Sequence, residues 1–108
     1  MDIETTLENQ KMETHHPFVG RYVLCRCASA GVHTGTLLSL NGDQAVLADS
    51  RRLWYWHGKG GIALSGVAQY GLENDSRLDT LNPLIALTGV IEVIPCSPEA
   101  EASIREYP

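Results

Sequence analysis

The sequence holds no apolar run approaching the roughly eighteen residues that a membrane-spanning helix requires, so no membrane partner is expected. It has no Cys-x-x-Cys and no His-x-x-x-His spacing. Cys25, Cys27 and Cys96 therefore make no zinc motif and are expected as buried free thiols. Gly58-Lys59-Gly60-Gly61 lacks the Gly-x-x-x-x-Gly-Lys-Ser/Thr spacing of a phosphate loop and reads as a flexible loop. No paired-carboxylate motif is present. Nor does any segment set a nucleophile and its base at a recognised spacing, although His33 and His57 are available as acids or bases and Cys25 or Cys27 as nucleophiles. Catalysis is not expected, and neither is a metal or cofactor. Met1 to His16 is acidic and polar, unlike the cationic start of a secretory signal, which implies a cytoplasmic protein.

Positive charge is scarce as well: eight Lys and Arg stand against thirteen Asp and Glu, for a net charge of −5. The distribution is uneven. Residues 1–17 carry −3 and residues 73–108 carry −5, whereas residues 18–72 carry +3, with Arg21, Arg26, Arg51, Arg52 and Lys59 against Asp43 and Asp49. An acidic protein of this kind is not built to coat long nucleic acids, which demand a broadly basic face. A basic middle segment remains compatible with a pocket for one small anion.

What is present is mainly β. A chain of 108 residues allows one domain, assigned to residues 18–108, with residues 1–17 as a flexible or helical lead-in. Tyr22 to Ala28 is rich in β-formers, Ser29-Ala30-Gly31 reads as a turn, and Val32 to Leu40 as a second strand with a bend at Gly35. Asn41-Gly42-Asp43 is the strongest hairpin signal, because Asn-Gly tolerates positive φ. Gln44 to Asp49 follows as a third strand, and Arg52 to His57 as a fourth after an interruption at Asp49-Ser50. Ile62 to Tyr70 reads as a short helix. Leu72 to Pro83 reads as a polar acidic connector, and Leu84 to Ile94 as one buried strand. Ser97, followed by Pro98 and then Glu99 and Glu101, has the pattern of a capped helix start. The sextets Ile62-Ala-Leu-Ser-Gly-Val67 and Ile85-Ala-Leu-Thr-Gly-Val90 echo one another and leave strand open for the first of them. The expected fold is α+β, mainly β: a small, strongly bent antiparallel sheet or barrel of about five strands with one or two short helices, one of them C-terminal. A domain this small often gains stability by association, so a homo-oligomer is expected.

The densest chemistry is Arg51-Arg52-Leu53-Trp54-Tyr55-Trp56-His57-Gly58, which holds both tryptophans of the chain. As a strand it puts Arg52, Trp54 and Trp56 on one face and Arg51, Leu53, Tyr55 and His57 on the other. Neither face is purely apolar, and a buried face normally excludes arginine unless it is paired. Flat rings beside guanidinium groups stack bases and meet phosphates; the same residue types also anchor protein interfaces. Pocket and interface both stay open. Ser29 to Gly35 offers a possible second wall, with small residues plus His33 and Thr34 as hydrogen-bonding groups. The candidate ligand-binding set is Arg26, His33, Thr34, Arg51, Arg52, Trp54, Tyr55 and Trp56.

The Ser29-Ala30-Gly31-Val32-His33-x-Gly35 block, the Arg51 to Trp56 block with Gly58, and Leu87-Thr88-x-Val90-Ile91-Glu92-Val93-Ile94-Pro95 together resemble a family of small phage and prophage proteins known only as a domain of unknown function. The resemblance covers roughly residues 19–105. By context and chemistry such proteins are similar to phage anti-defence sponges, which sequester the cyclic nucleotide messengers of bacterial immunity. The implied role is binding a nucleotide-derived signal, of cyclic oligonucleotide or cyclic ADP-ribose type, in the host bacterial cytoplasm without cleaving it. The alternative is a phage structural or interaction module whose Trp/Tyr/Arg cluster is a subunit interface.

Overall fold

A computed structural model describes residues 16–61 and 63–108; most of the expected lead-in lies outside the described residues. Six antiparallel strands form one sheet: β1 (Tyr22–Cys27), β2 (Gly31–Asn41), β3 (Gln44–Tyr55), β4 (Arg77–Leu78), β5 (Asn82–Leu87) and β6 (Val90–Pro95). Two helices accompany them, α1 (Leu64–Tyr70) and α2 (Pro98–Arg105). The strand order is β4-β3-β2-β1-β6, and β5 also pairs with β3. The sheet is strongly curled but not closed.

β1 is buried on both faces, which is why its sequence is nearly continuous apolar rather than alternating. Val23, Cys25 and Cys27 point into an inner core with Leu37, Ala45, Leu47 and Leu87. Tyr22 and Leu24 point the other way, into an outer core with Leu53, Val67, Ala68, Leu72, Ala100 and Ile104, so both helices pack on that face. All three cysteines are buried and free, as expected. Burial pushes the thiols of Cys25 and Cys96 up to about 12.

The hairpin between β2 and β3 closes on the pair Asn41 and Gln44, with Gly42 at φ 59 in the turn. The expected third and fourth strands are one strand. Asp49 takes φ 51 without breaking it, and the register with β2 slips at the same point. This bulge bends β3, so its first half pairs with β5 (Ala45 to Ser50) and its second half with β4 (Leu53 and Tyr55). Gly35 lies over the bend. A Cβ there would come within 2.9 Å of the Ala48 carbonyl oxygen, a close approach that only glycine permits.

Two further expectations are corrected. Leu84 to Ile94 is not a single buried strand: Leu84 and Ile91 are exposed, and the chain kinks at Thr88-Gly89, where Gly89 has φ 82. β5 is antiparallel to β3 and β6 to β1, so the two run in the same sense and the kink passes the chain from one side of the curled sheet to the other. Leu72 to Pro83 is more than a connector, since it contains β4. The helix starts are as expected for α2: the Ser97 hydroxyl accepts from the Ala100 amide at 3.0 Å, with Pro98 in the first turn.

Candidate binding surface

The second half of β3 separates its two arginines. Arg51 and Leu53 face the outer core; Arg52 and Trp54 face away from it. Arg51 is only 8% exposed. Its Nε donates to the Asp79 carbonyl at 3.1 Å, and its Nη1 donates to the carbonyls of Ile104 at 2.9 Å and Tyr107 at 2.6 Å. The last carbonyls of a helix have no intrahelical donor and form the negative end of its dipole. The guanidinium thus caps the C-terminal end of α2, and the carbonyls offset the cost of burying its charge.

Thr34 and His33 are likewise interior. The Thr34 hydroxyl donates to the Arg51 carbonyl at 3.0 Å and accepts from the Tyr22 hydroxyl at 3.1 Å. His33 is 0% exposed, with Nε2 at 2.8 Å from the Ala30 carbonyl oxygen. Burial pushes the His33 pKa down; the Ala30 hydrogen bond opposes this, nearby Arg52 adds to it, and Asp79 opposes it. Arg26 stands at the exposed position of β1 and pairs with Glu92 on β6 at 3.1 Å. The eight expected residues therefore do not converge. Arg51, His33 and Thr34 are built into the fold, and Arg26 is engaged on another part of the sheet.

Three of the eight, Trp54, Tyr55 and Trp56, line adjoining grooves, and Arg52 is exposed two positions before Trp54 on β3. Trp54 is 56% exposed and Tyr55 47%. The Arg77 guanidinium, on the neighbouring β4, lies 5.6 Å from the centre of the Trp54 ring. The Tyr55 ring meets His57 edge-on at 5.2 Å, and His57 Nδ1 is 2.7 Å from the Asp75 carboxylate. Arg52 is half-exposed, its Nε 4.0 Å from the Asp79 carboxylate. Trp56 is half-buried against the outer core. Two open grooves flank Asp75. One, of about 420 Å³, is lined by Trp54, Tyr55, Asp75 and Arg77. The other, of about 670 Å³, is lined by Trp56, His57, Gly58, Gly61, Glu73, Asn74 and Asp75. The Gly60 amide donates to the Glu73 carboxylate at 2.8 Å, so this part of the glycine loop is already engaged by an acid. Among the described residues no group of three or more His, Cys, Asp or Glu is placed to hold a metal ion.

Glu73, Asn74, Asp75 and Arg77 were not anticipated, because they lie in the stretch read as a connector. One signal was available. Arg77 is the one cation between Leu72 and Pro83, and apolar Leu78 follows it.

Residues 20–104 match a family described as a domain of unknown function, DUF6948. The chain belongs to that family. No curated protein matches it. The DUF6948 match opens just before β1 and ends inside α2, so it spans every residue lining the two grooves on either side of Asp75 and stops short of Tyr107. No helix among the described residues is long and apolar enough to cross a membrane.

Proposed function

We propose that this DUF6948 protein is a non-catalytic binding protein that holds a nucleotide-derived ligand on the Trp54 surface, acting as a phage anti-defence sponge in the host cytoplasm. The observation that carries this reading is the exposed Trp54 plane with a guanidinium already against it at 5.6 Å. A base stacks on Trp54 or Tyr55, while Arg77 and half-exposed Arg52 supply planar donors for phosphate. Asp75 and Asn74 offer acceptors and an amide for base edges or ribose hydroxyls. The set differs from the sequence expectation, with Arg77 taking the place of Arg51. Calorimetry against cyclic dinucleotides, cyclic trinucleotides and cyclic ADP-ribose isomers tests it. Stacking is worth about 1–3 kcal/mol per base, so Trp54→Ala weakens a binder on the order of 5- to 150-fold. Failure of the folded protein to bind anything in that panel sinks the reading. Recovery of a cleaved product rather than intact ligand removes the non-catalytic part.

A second reading has its own support. Asp75 and Glu73 line the open grooves at the aromatic strand end, and Asp79 stands beside Arg52. Carboxylates repel a polyanion but suit a protein partner, and exposed Trp, Tyr and Arg are the usual interface anchors. The surface then joins subunits of a homo-oligomer. Light scattering separates the two: Trp54→Ala that dissociates an assembly without any ligand supports the interface, and ligand loss with assembly intact supports the pocket.

A further inference from the structure

Both grooves depend on one turn, Glu73 to Ser76, because it carries Asp75, which lines each of them and holds His57. The turn is tied at its ends. The Glu73 amide donates to the His57 carbonyl at 2.8 Å, and the His57 amide donates to the Ser76 hydroxyl at 3.0 Å. Its middle is held from the far end of the chain. The Tyr107 hydroxyl lies against three carbonyl oxygens of the turn: Ser76, Asn74 at 2.8 Å and Glu73 at 3.3 Å. A phenol has one proton, so it donates to one of the three at a time, with Ser76 the closest. Tyr107 is in turn fixed twice: its ring packs against the outer core, and its carbonyl accepts from Arg51 Nη1 at 2.6 Å.

We propose that Tyr107 is a positioning residue for the binding surface: through its hydroxyl it sets the Glu73–Ser76 turn and thereby the Asp75 carboxylate and the His57 ring. The proposal rests on the reading that these grooves bind a ligand or partner, but its structural half stands without one. Tyr107 adds nothing to the lining of either groove. It lies outside residues 20–104, the stretch matched by the family.

Tyr107→Phe keeps the ring in the outer core and removes only the hydroxyl. Two ligand-free measurements follow by NMR. Amide exchange at Glu73 and Ser76 rises about fivefold, the worth of one ordinary hydrogen bond, while exchange at Ala100 and Ile104 in α2 is unchanged. The His57 ring protons, which lie beside Tyr55, shift in the same direction as in Asp75→Asn. In calorimetry with whichever cyclic dinucleotide, cyclic trinucleotide or cyclic ADP-ribose isomer binds the parent protein, Tyr107→Phe weakens binding several-fold. Unchanged exchange at the turn overturns the proposal. So does equal loosening of α2, which would make Tyr107 a plain stability residue. A displaced turn with unaltered affinity overturns its role in binding. If nothing binds at all, the proposed function fails, while the exchange and shift results still decide whether Tyr107 sets the turn.

Discussion

Arg51 and Arg52 are adjacent and chemically identical, yet removing them should have very different consequences. Arg51→Ala deletes three charge-assisted hydrogen bonds, to the carbonyls of Asp79, Ile104 and Tyr107. Bonds to charged groups are worth about 1.5–3 kcal/mol each. Part of that sum is returned because an 8%-exposed guanidinium no longer has to be desolvated. Against this return, the Tyr107 carbonyl just past α2 loses its donor, and the Ile104 carbonyl keeps only backbone amides, that of Tyr107 at 3.3 Å. A buried acceptor left without its partner costs about 1–3 kcal/mol, so losing the donor shared by these carbonyls should cost about 3 kcal/mol or more in total. A domain near this size loses about 4–8 °C of Tm per kcal/mol, so Arg51→Ala should melt more than about 12 °C below the parent. Arg52→Ala removes a half-exposed side chain whose closest carboxylate is 4.0 Å away. Its effect should stay within about 0.5 kcal/mol. Thermal unfolding followed by circular dichroism, with urea midpoints as a second measure, gives the comparison. If the two variants unfold within a few degrees of each other, Arg51 is not the cap of α2 and the account of β3 as a strand with one structural and one surface arginine is wrong.

Two further outcomes follow from buried titratable groups. His33 has its pKa lowered by burial, so above the unfolded-state value of about 6.5 it is neutral in both states and adds no pH dependence. As pH falls below that value the unfolded chain takes up the proton first, and stability should decline; Arg52 across the ladder adds to the penalty while Asp79 opposes it. Urea midpoints measured from pH 7.5 down to pH 5 should fall, and a His33→Gln variant should flatten the slope; an identical slope in both would assign the acid sensitivity elsewhere. For the cysteines, burial and thiol pKa values of about 12 at Cys25 and Cys96 predict that an aromatic disulfide reagent titrates no thiol in the native protein and all three in denaturant. Rapid native reaction at any one of them would contradict its buried placement.

The local elements were well marked by sequence because their causes are local. Tyr22 to Cys27 is strand through its β-formers, Asn41-Gly42-Asp43 turns because glycine accepts positive φ, and Ser97-Pro98 opens α2 because a hydroxyl satisfies a free amide. The candidate site was legible only in half. The exposed partners of the aromatic run, Arg77 and Asp75, come from a segment whose composition reads as a connector. Only strand pairing with Tyr55 brings Arg77 beside Trp54. Arg51 misled for a physical reason: nothing local shows that the carbonyls of Ile104 and Tyr107, more than fifty positions away, would be there to pair it.

The echoed sextets divide the two levels most clearly. Sequence alone determined the mainly β character, the turns at Ser29-Ala30-Gly31 and Asn41-Gly42-Asp43, and the Arg-aromatic density of β3. It could not determine what Ala63-Leu64-Ser65-Gly66-Val67 and Ala86-Leu87-Thr88-Gly89-Val90 become, since their local preferences are almost the same. The first supplies most of α1, whose Val67 and Ala68 are buried in the outer core, and the chain leaves that helix at Gly71 with φ 93. The second follows Pro83, pairs with β3 through Leu87 and Ala86, and turns at Gly89. Tertiary burial and ladder hydrogen bonds outweigh propensity differences of a few tenths of a kcal/mol per residue, and by the same rule they turned one arginine of the pair inward and left the other beside the tryptophan.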